Sequence, residues 1–215
     1  MLDPAVHPPV AGGASPSLRE LGMRLHVPYN NDFGLIEAII PYAASIASLY
    51  LPCNHTVLGS GRYEGRSTNR GWDSYDVEVK EIARLLAPHG ISVNMLLNSI
   101  HVSSDILNNF QGSRLYRYLK EYAESGVEWL TVANIQLAML LRRHFPSFKL
   151  DVSVLGLVDT VARAQYWHEL VHPDMFCVDL DCSRDLKLIE QISMASGMPV
   201  LSMISRSLSA IPTRA

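Results

Sequence analysis

Short apolar runs recur along this chain, each followed by polar or glycine residues and then by a segment whose apolar residues have helical spacing. The runs have the length of strands, and the periodic segments have the length of helices. This alternation is typical of parallel strands covered by helices. It predicts seven strands, over Met23–Tyr29, Ala47–Pro52, Ile91–Leu97, Val127–Val132, Lys149–Val154, Asp174–Asp179 and Met198–Met203.

Helix signals lie between the predicted strands, and two longer loops are expected over 55–73 and 98–112. Asp159 is expected to cap one helix and Ser183 to open another, because short polar side chains satisfy the first N–H groups of a helix. The predicted helices are Phe33–Ala44, Ser74–Pro88, Ser113–Glu124, Ile135–His144, Thr160–Leu170 and Arg184–Ala195.

The repeat length of about 25 residues is typical both of (β/α)8 barrels and of open doubly wound sheets. No strand is followed by a glycine fingerprint or a P-loop, which weakens the open-sheet alternative. We therefore predict an α/β fold, a TIM-type (β/α)8 barrel that is incomplete, with about seven β/α units and the eighth strand missing. Either the chain is a truncated fragment, which we prefer, or a protein partner covers the open sheet edge.

Composition adds domain boundaries and excludes some functions. Residues 1–20 are rich in Pro, Gly and Ala and are expected to be disordered, the barrel domain is expected over 21–204, and 205–215 form an irregular tail. A net charge of −3 makes nucleic-acid binding unlikely, since only Arg142-Arg143-His144 forms a basic cluster. No apolar run has the length of a membrane span and no secretory signal is visible, so we expect a cytoplasmic protein.

The three cysteines, Cys53, Cys177 and Cys182, are too few and too irregularly spaced for a disulfide framework. We expect buried, reduced thiols and no metal site. The alternative is a metal site in which Cys53 and His55 meet Cys182 across the barrel mouth.

Candidate chemistry is sought where strands end, because barrel enzymes carry their active sites at the C-terminal ends of the strands. Amide side chains are common there, and amides orient polar substrates but transfer protons poorly. The loop 59–62, which ends at Arg62, could bind a carboxylate or phosphate or could hold no ligand. The polar residues at these ends include Asn30, Asn54, Asn98, Asn134, Ser153, Asp179, Asp181 and Arg184.

Asp179 and Asp181 are the candidate catalytic pair. They lie two residues apart at the end of a strand and would share a face, so that a shared proton is possible. The alternative is structural: Asp181 caps the sixth helix and Asp179 pairs with Arg184.

Five segments together resemble the barrel of the U32 peptidase family: HVPYNNDFGLIEAI, YLPCNHTVLGSGR, ISVNMLLNS, the long segment from YLKEYAESG to KLDVSV, and DLDCSRDLKLIEQI. The resemblance covers roughly 23–203 and rests on the order of the segments. It implies the barrel fold and a substrate-lining role for Asn30, Asn98, Asn134, Ser153 and Arg184. We add Asn54 and Arg62 as substrate-binding candidates from their positions.

The resemblance also implies chemistry. Some members of the family resemble collagenase-like peptidases, and others resemble oxygen-independent hydroxylation proteins that carry a four-cysteine [4Fe–4S] cluster and use prephenate as a hydroxyl source. No cysteine follows Cys182, so we expect no cofactor in this chain. Three functions follow: a hydroxylation-type enzyme, or fragment of one, acting on a small polar or aromatic substrate; a peptidase; or a non-catalytic barrel subunit that partners a cluster-bearing homologue.

Overall fold

A computed structural model describes residues 23–53 and 72–203 of the chain. The segment 1–20, Asn54, Arg62 and the tail 205–215 lie outside the described residues, so the predictions made for them stay predictions. The described strands are β1 (Leu25–Pro28), β2 (Ile46–Pro52), β3 (Ser92–Leu97), β4 (Trp129–Val132), β5 (Lys149–Val152), β6 (Met175–Cys177) and β7 (Val200–Leu201).

Helices separate the strands, and several begin at a side-chain cap. The described helices are α1 (Gly34–Ile39), α2 (Trp72–Leu86), α3 (Ser104–Asn108), α4 (Arg114–Glu124), α5 (Ile135–His144), α6 (Val161–Val171) and α7 (Leu186–Ser196). None of the helices in these ranges is long and apolar enough to cross a membrane.

The seven strands form one parallel sheet in the order in which they occur along the chain. This order, with helices between successive strands, confirms the predicted (β/α)-barrel type with seven units. Among the described residues, β1 and β7 are the sheet edges, and no eighth strand is present. Leu96, Thr131 and Asp151 lie side by side on β3, β4 and β5, which defines a common level across the middle of the sheet.

Three local predictions were wrong, and each error has a physical reason. The first helix is shorter than predicted: α1 ends at Ile39 and continues as a 3-10 turn, because Pro41 has no N–H for the next α-helical bond. Asp159 does not cap α6; the hydroxyl of Thr160 accepts from the N–H of Arg163. Neither Ser183 nor Asp181 caps α7, since Asp185 accepts from the N–H of Leu188.

One face of the sheet packs against the helices. A Cβ placed on Gly156 would meet Val152 of β5 at 2.7 Å and Trp167 of α6 at 3.4 Å, so Val152 faces α6. Paired residues share a face and successive residues alternate. The helix-facing positions are therefore Leu49, Leu51, Val93, Met95, Leu97, Leu130, Val132, Leu150, Val152, Phe176 and Val178, all of them buried.

Candidate functional site

The inner face of the sheet, opposite the helices, carries polar side chains. Val152 faces α6, so Asp151 points inward. Strand pairing extends the same face across the sheet. Polar or thiol groups from each of the first six strands lie on this face. We call six of them, one from each strand, the inner polar row: His26, Ser48, Asn94, Thr131, Asp151 and Cys177.

The centre of the row is a contact among three buried side chains on neighbouring strands. The hydroxyl oxygen of Thr131 lies 2.9 Å from Oδ1 of Asn94 and 3.1 Å from Oδ2 of Asp151. Burial raises the pKa of Asp151 to about 7, although the hydrogen bond from Thr131 works in the opposite direction. This carboxyl group is therefore able to exchange a proton near neutral pH.

The two flanks of the row differ in their chemistry. Burial, with the negative charges of Asp151 and Asp179, raises the pKa of the Cys177 thiol to about 12, so this cysteine is not a thiolate nucleophile. At the other flank, Nδ1 of His26 and the hydroxyl of Ser48 lie 2.8 Å apart. Burial and the positive charge of Arg24 lower the pKa of His26.

Above the row, at the C-terminal ends of the strands, lie three of the predicted substrate-binding residues. Asn98 follows β3, and its Oδ1 is buried with no hydrogen-bond partner among residues 23–53 and 72–203. Asn134 follows β4 and is occupied structurally: its Oδ1 caps α5 through the N–H of Leu137, and its Nδ2 donates to the carbonyl of Ile100. Ser153 follows β5, is 3% exposed, and accepts from the N–H of Leu155.

The candidate catalytic pair lies at the end of β6. Asp179 is partly exposed, and its Oδ1 accepts from the N–H of Asp181 at 2.9 Å, which closes a short turn; Asp181 is exposed. Within the described part of the chain, no ion pair joins Asp179 to Arg184, which is exposed. The predicted catalytic role of this pair stays a prediction.

The remaining predicted substrate-binding residue that the structure describes is Asn30, which follows β1. Asn30 is exposed beside β1, and its Oδ1 accepts from the N–H of Asp32 in a turn that leads to α1. The residues that sequence reasoning missed, Thr131 and Asp151, lie one layer deeper than the strand ends. A signal was present: Asp151 is a carboxylate at an alternating position of the apolar strand pattern LDVSV.

The cysteines do not fit a cluster of the kind that the family resemblance implies. A [4Fe–4S] cluster takes four thiolate ligands, whereas this chain has three cysteines. Two of them, Cys53 and Cys177, are buried, and Cys177 resists ionisation. Over residues 23–53 and 72–203, no three His, Cys, Asp or Glu side chains are placed to hold a metal ion.

Because Asn134 makes two structural hydrogen bonds, its substitution is expected to cost stability. Asn134→Asp keeps the cap and loses the donor to Ile100, which should cost about 1 kcal/mol. Asn134→Ala loses both bonds and should cost about 2 kcal/mol. Urea unfolding at fixed pH measures both values. Equal stability of the three proteins would show that neither bond contributes measurably to stability.

Solved structures share this fold. The U32 peptidase Mk0906 matches with a TM-score of 0.61 and 18% identity, over 90% of this chain and 71% of that chain. The YdjI aldolase from Escherichia coli matches with a TM-score of 0.51 and 12% identity, over 83% of this chain and 64% of that chain. An O-GlcNAc hydrolase from Thermobaculum terrenum matches with a TM-score of 0.55 and 8% identity, over 80% of this chain and 43% of that chain. This chain thus spans less than two thirds of the last two proteins, and these identities show the fold alone.

Sequence comparison is more specific. No curated protein matches the chain significantly. The family model of peptidase family U32, however, matches residues 53–196, which is more than half of the chain and includes β3 to β6 with the inner polar row that they carry. The match confirms the resemblance that the five segments indicated. This protein therefore belongs to peptidase family U32.

Proposed function

We propose that the chain forms the barrel of an enzyme that binds a small polar or aromatic substrate at the C-terminal ends of the strands and modifies it in a hydroxylation-type reaction. The observation that carries the proposal is the buried Oδ1 of Asn98, for which the described part of the chain offers no hydrogen-bond partner. An unsatisfied buried acceptor costs about 1–3 kcal/mol. This acceptor lies where barrel enzymes bind their substrates, so a substrate N–H or O–H would recover that cost.

The other residues take roles according to their chemistry. Asn30, Asn134, Ser153 and Arg184 would line the substrate, together with Asn54 and Arg62, and the exposed guanidinium of Arg184 suits an anionic group. Asp179 and Asp181, at the end of β6, would accept or return a proton at the reacting group. Since the cysteines of these 215 residues do not fit a four-cysteine cluster, the ligands of any such cluster would lie outside them.

Prephenate, the hydroxyl source implied by the family resemblance, is the first probe for this site. In isothermal titration calorimetry we expect saturable binding to the full chain and about tenfold to hundredfold weaker binding to Asn98→Ala, because one desolvated hydrogen bond is lost. Asn108→Ala, at an exposed position of α3, is the matched control and should bind like the unmodified protein. Absence of binding, or equal binding by all three proteins, would refute a role for Asn98.

A non-catalytic subunit is the second candidate, and the cysteine count favours it. A barrel that cannot supply four thiolates could scaffold a cluster-bearing homologue. Both candidates predict a colourless, iron-free chain, so prephenate turnover measured together with such a homologue separates them. Turnover that Asn98→Ala and Asp179→Asn abolish supports the enzyme, and turnover that neither substitution changes supports the subunit.

Peptidase activity is the third candidate. The Cys177 thiol is a poor nucleophile because its pKa is raised to about 12. We expect no cleavage of gelatin or casein, and cleavage that survives a Cys177→Ser substitution would point to a different nucleophile.

A further inference from the structure

The contact among Asn94, Thr131 and Asp151 requires one more proton than the Thr131 hydroxyl can supply. A hydroxyl group donates one hydrogen bond, yet Thr131 lies at hydrogen-bond distance from two oxygens. Either Asp151 carries a proton and donates it to Thr131, or the Asn94 amide is turned over so that its Nδ2 donates. In both arrangements Oδ2 of Asp151 is occupied and Oδ1 is not.

The Oδ1 atom of Asp151 is a buried acceptor that nothing in the described part of the chain satisfies. The residue is only 3% exposed, so water does not reach this atom freely. Barrel interiors are normally filled by branched apolar side chains, whereas this one carries the inner polar row. Buried polar atoms of native proteins are nearly always paired, so an unpaired one needs an explanation.

We propose that the barrel interior beside β5 binds the hydrogen-bond donor end of a small ligand, a hydroxyl or an ammonium group, with Oδ1 of Asp151 as its acceptor. The inference rests on the proposed function for the entrance: Ser153 lies two residues beyond Asp151 on the same face of β5, so a ligand held at the strand ends would reach inward past it. Thr131 and Asn94 hold the carboxyl group in place.

Ionisation of Asp151 is expected to change the binding of an ammonium group and of a hydroxyl group to different extents. An ammonium group gains a charge partner when Asp151 ionises, and a hydroxyl group gains much less. The groups that face Asp151 from the neighbouring strands do not obscure this difference. Thr131 and Asn94 do not titrate, and the Cys177 thiol stays neutral because burial raises its pKa to about 12.

Glycerol and serinol form a matched probe pair, since serinol carries an ammonium group where glycerol has its central hydroxyl. Each is titrated into the isotopically labelled full chain, and the backbone amide signals of β5 and Ser153 are followed by NMR. We expect saturable shifts from at least one probe, which identifies the donor. Serinol is expected to bind about tenfold more tightly near pH 8 than near pH 6, and glycerol about equally at both.

Two variants locate the acceptor. Asp151→Asn imitates the protonated carboxyl group, because its Nδ2 can donate to Thr131 while Oδ1 remains; it should keep glycerol binding and lose the pH dependence of serinol binding. Asp151→Leu removes the acceptor and should weaken both probes about tenfold. If Asp151→Leu does not fold, the pH dependence of serinol binding, compared between Asp151→Asn and the unmodified protein, still tests whether Asp151 is the acceptor. No saturable shift in the unmodified protein, or shifts that neither variant changes, would overturn the proposal.

Different results would refute the inner site and the proposed function. Prephenate binding that depends on Asn98, with no probe binding near Asp151, would remove the inner site and keep the function proposed for the strand ends. Probe binding through Asp151 without prephenate binding would remove that function and keep the inner site.

Discussion

Asp151→Asn is expected to make the protein more stable than the unmodified chain above neutral pH and to remove most of the decline in stability between about pH 4 and pH 8. The carboxyl group is buried, and its pKa rises from 3.8 to about 7 on folding. Between these two values the folded state binds a proton that the unfolded state does not. Stability from this group is therefore complete below about pH 4 and is lost as the pH rises through 7.

The expected size of the effect follows from the shift in pKa. The rise of the pKa from 3.8 to about 7 corresponds to about 4 kcal/mol at pH 7 to 8. Asparagine carries no proton to lose, and its amide nitrogen can donate to Thr131 as the protonated acid does. The variant should match the unmodified protein near pH 4 and exceed it near pH 8.

Urea unfolding from about pH 4 to pH 8 measures this difference. Glu190→Gln, which removes an exposed carboxylate from α7, is the control and should leave the pH dependence of the unmodified protein unchanged. Parallel stability curves for Asp151→Asn and the unmodified protein would mean that Asp151 is ionised throughout. The arrangement with the Asn94 amide turned over would then be the correct one.

Arg142→Ala is expected to destabilise the protein by about 3 kcal/mol, the second large effect. The guanidinium donates to the carbonyls of Phe148, Val171 and His172 and to Oδ2 of Asp174. It thus ties the end of α6 to the segments that enter β5 and β6. Hydrogen bonds to a charged group are worth about 1.5–3 kcal/mol, and removing Arg142 also leaves Asp174 without its ion-pair partner.

The neighbouring residue provides the control. Arg143 is exposed on α5, and Arg143→Ala should change stability by less than about 0.5 kcal/mol. Arg142→Lys keeps the charge but cannot reproduce the fork of donors, so it should recover only part of the loss. Equal unfolding midpoints for the two alanine variants would contradict the anchoring role of Arg142.

These contacts also change how the basic cluster 142–144 is interpreted. The guanidinium of Arg142 donates to backbone carbonyls and to Asp174. The imidazole ring of His144 packs against Phe110 and Tyr116. Arg143 is exposed, whereas Arg142 and His144 are partly buried. Two of the three residues in this cluster therefore have a structural role.

The alternation of apolar runs with helical segments was enough to predict the strand order and the barrel type. The reason is that parallel strands covered by helices need a buried apolar face, and that need repeats in every unit. Caps were less predictable: Thr160 and Asp185 act where Asp159 and Ser183 were expected, because neighbouring polar residues compete for the same N–H groups. The short helix α3 was missed within a predicted loop, since so few residues carry little periodic signal.

By itself, the sequence determined the seven-unit order, the U32 resemblance and the set of polar residues at strand ends. Only the tertiary structure decided which polar groups meet. Asn94, Thr131 and Asp151 are distant along the chain and become neighbours through the register of three strands. The raised pKa of Asp151 arises from burial, which the fold as a whole creates. Burial also encloses the oxygens of Asn98 and Asp151 that no described residue pairs with, and no local sequence pattern predicts either result.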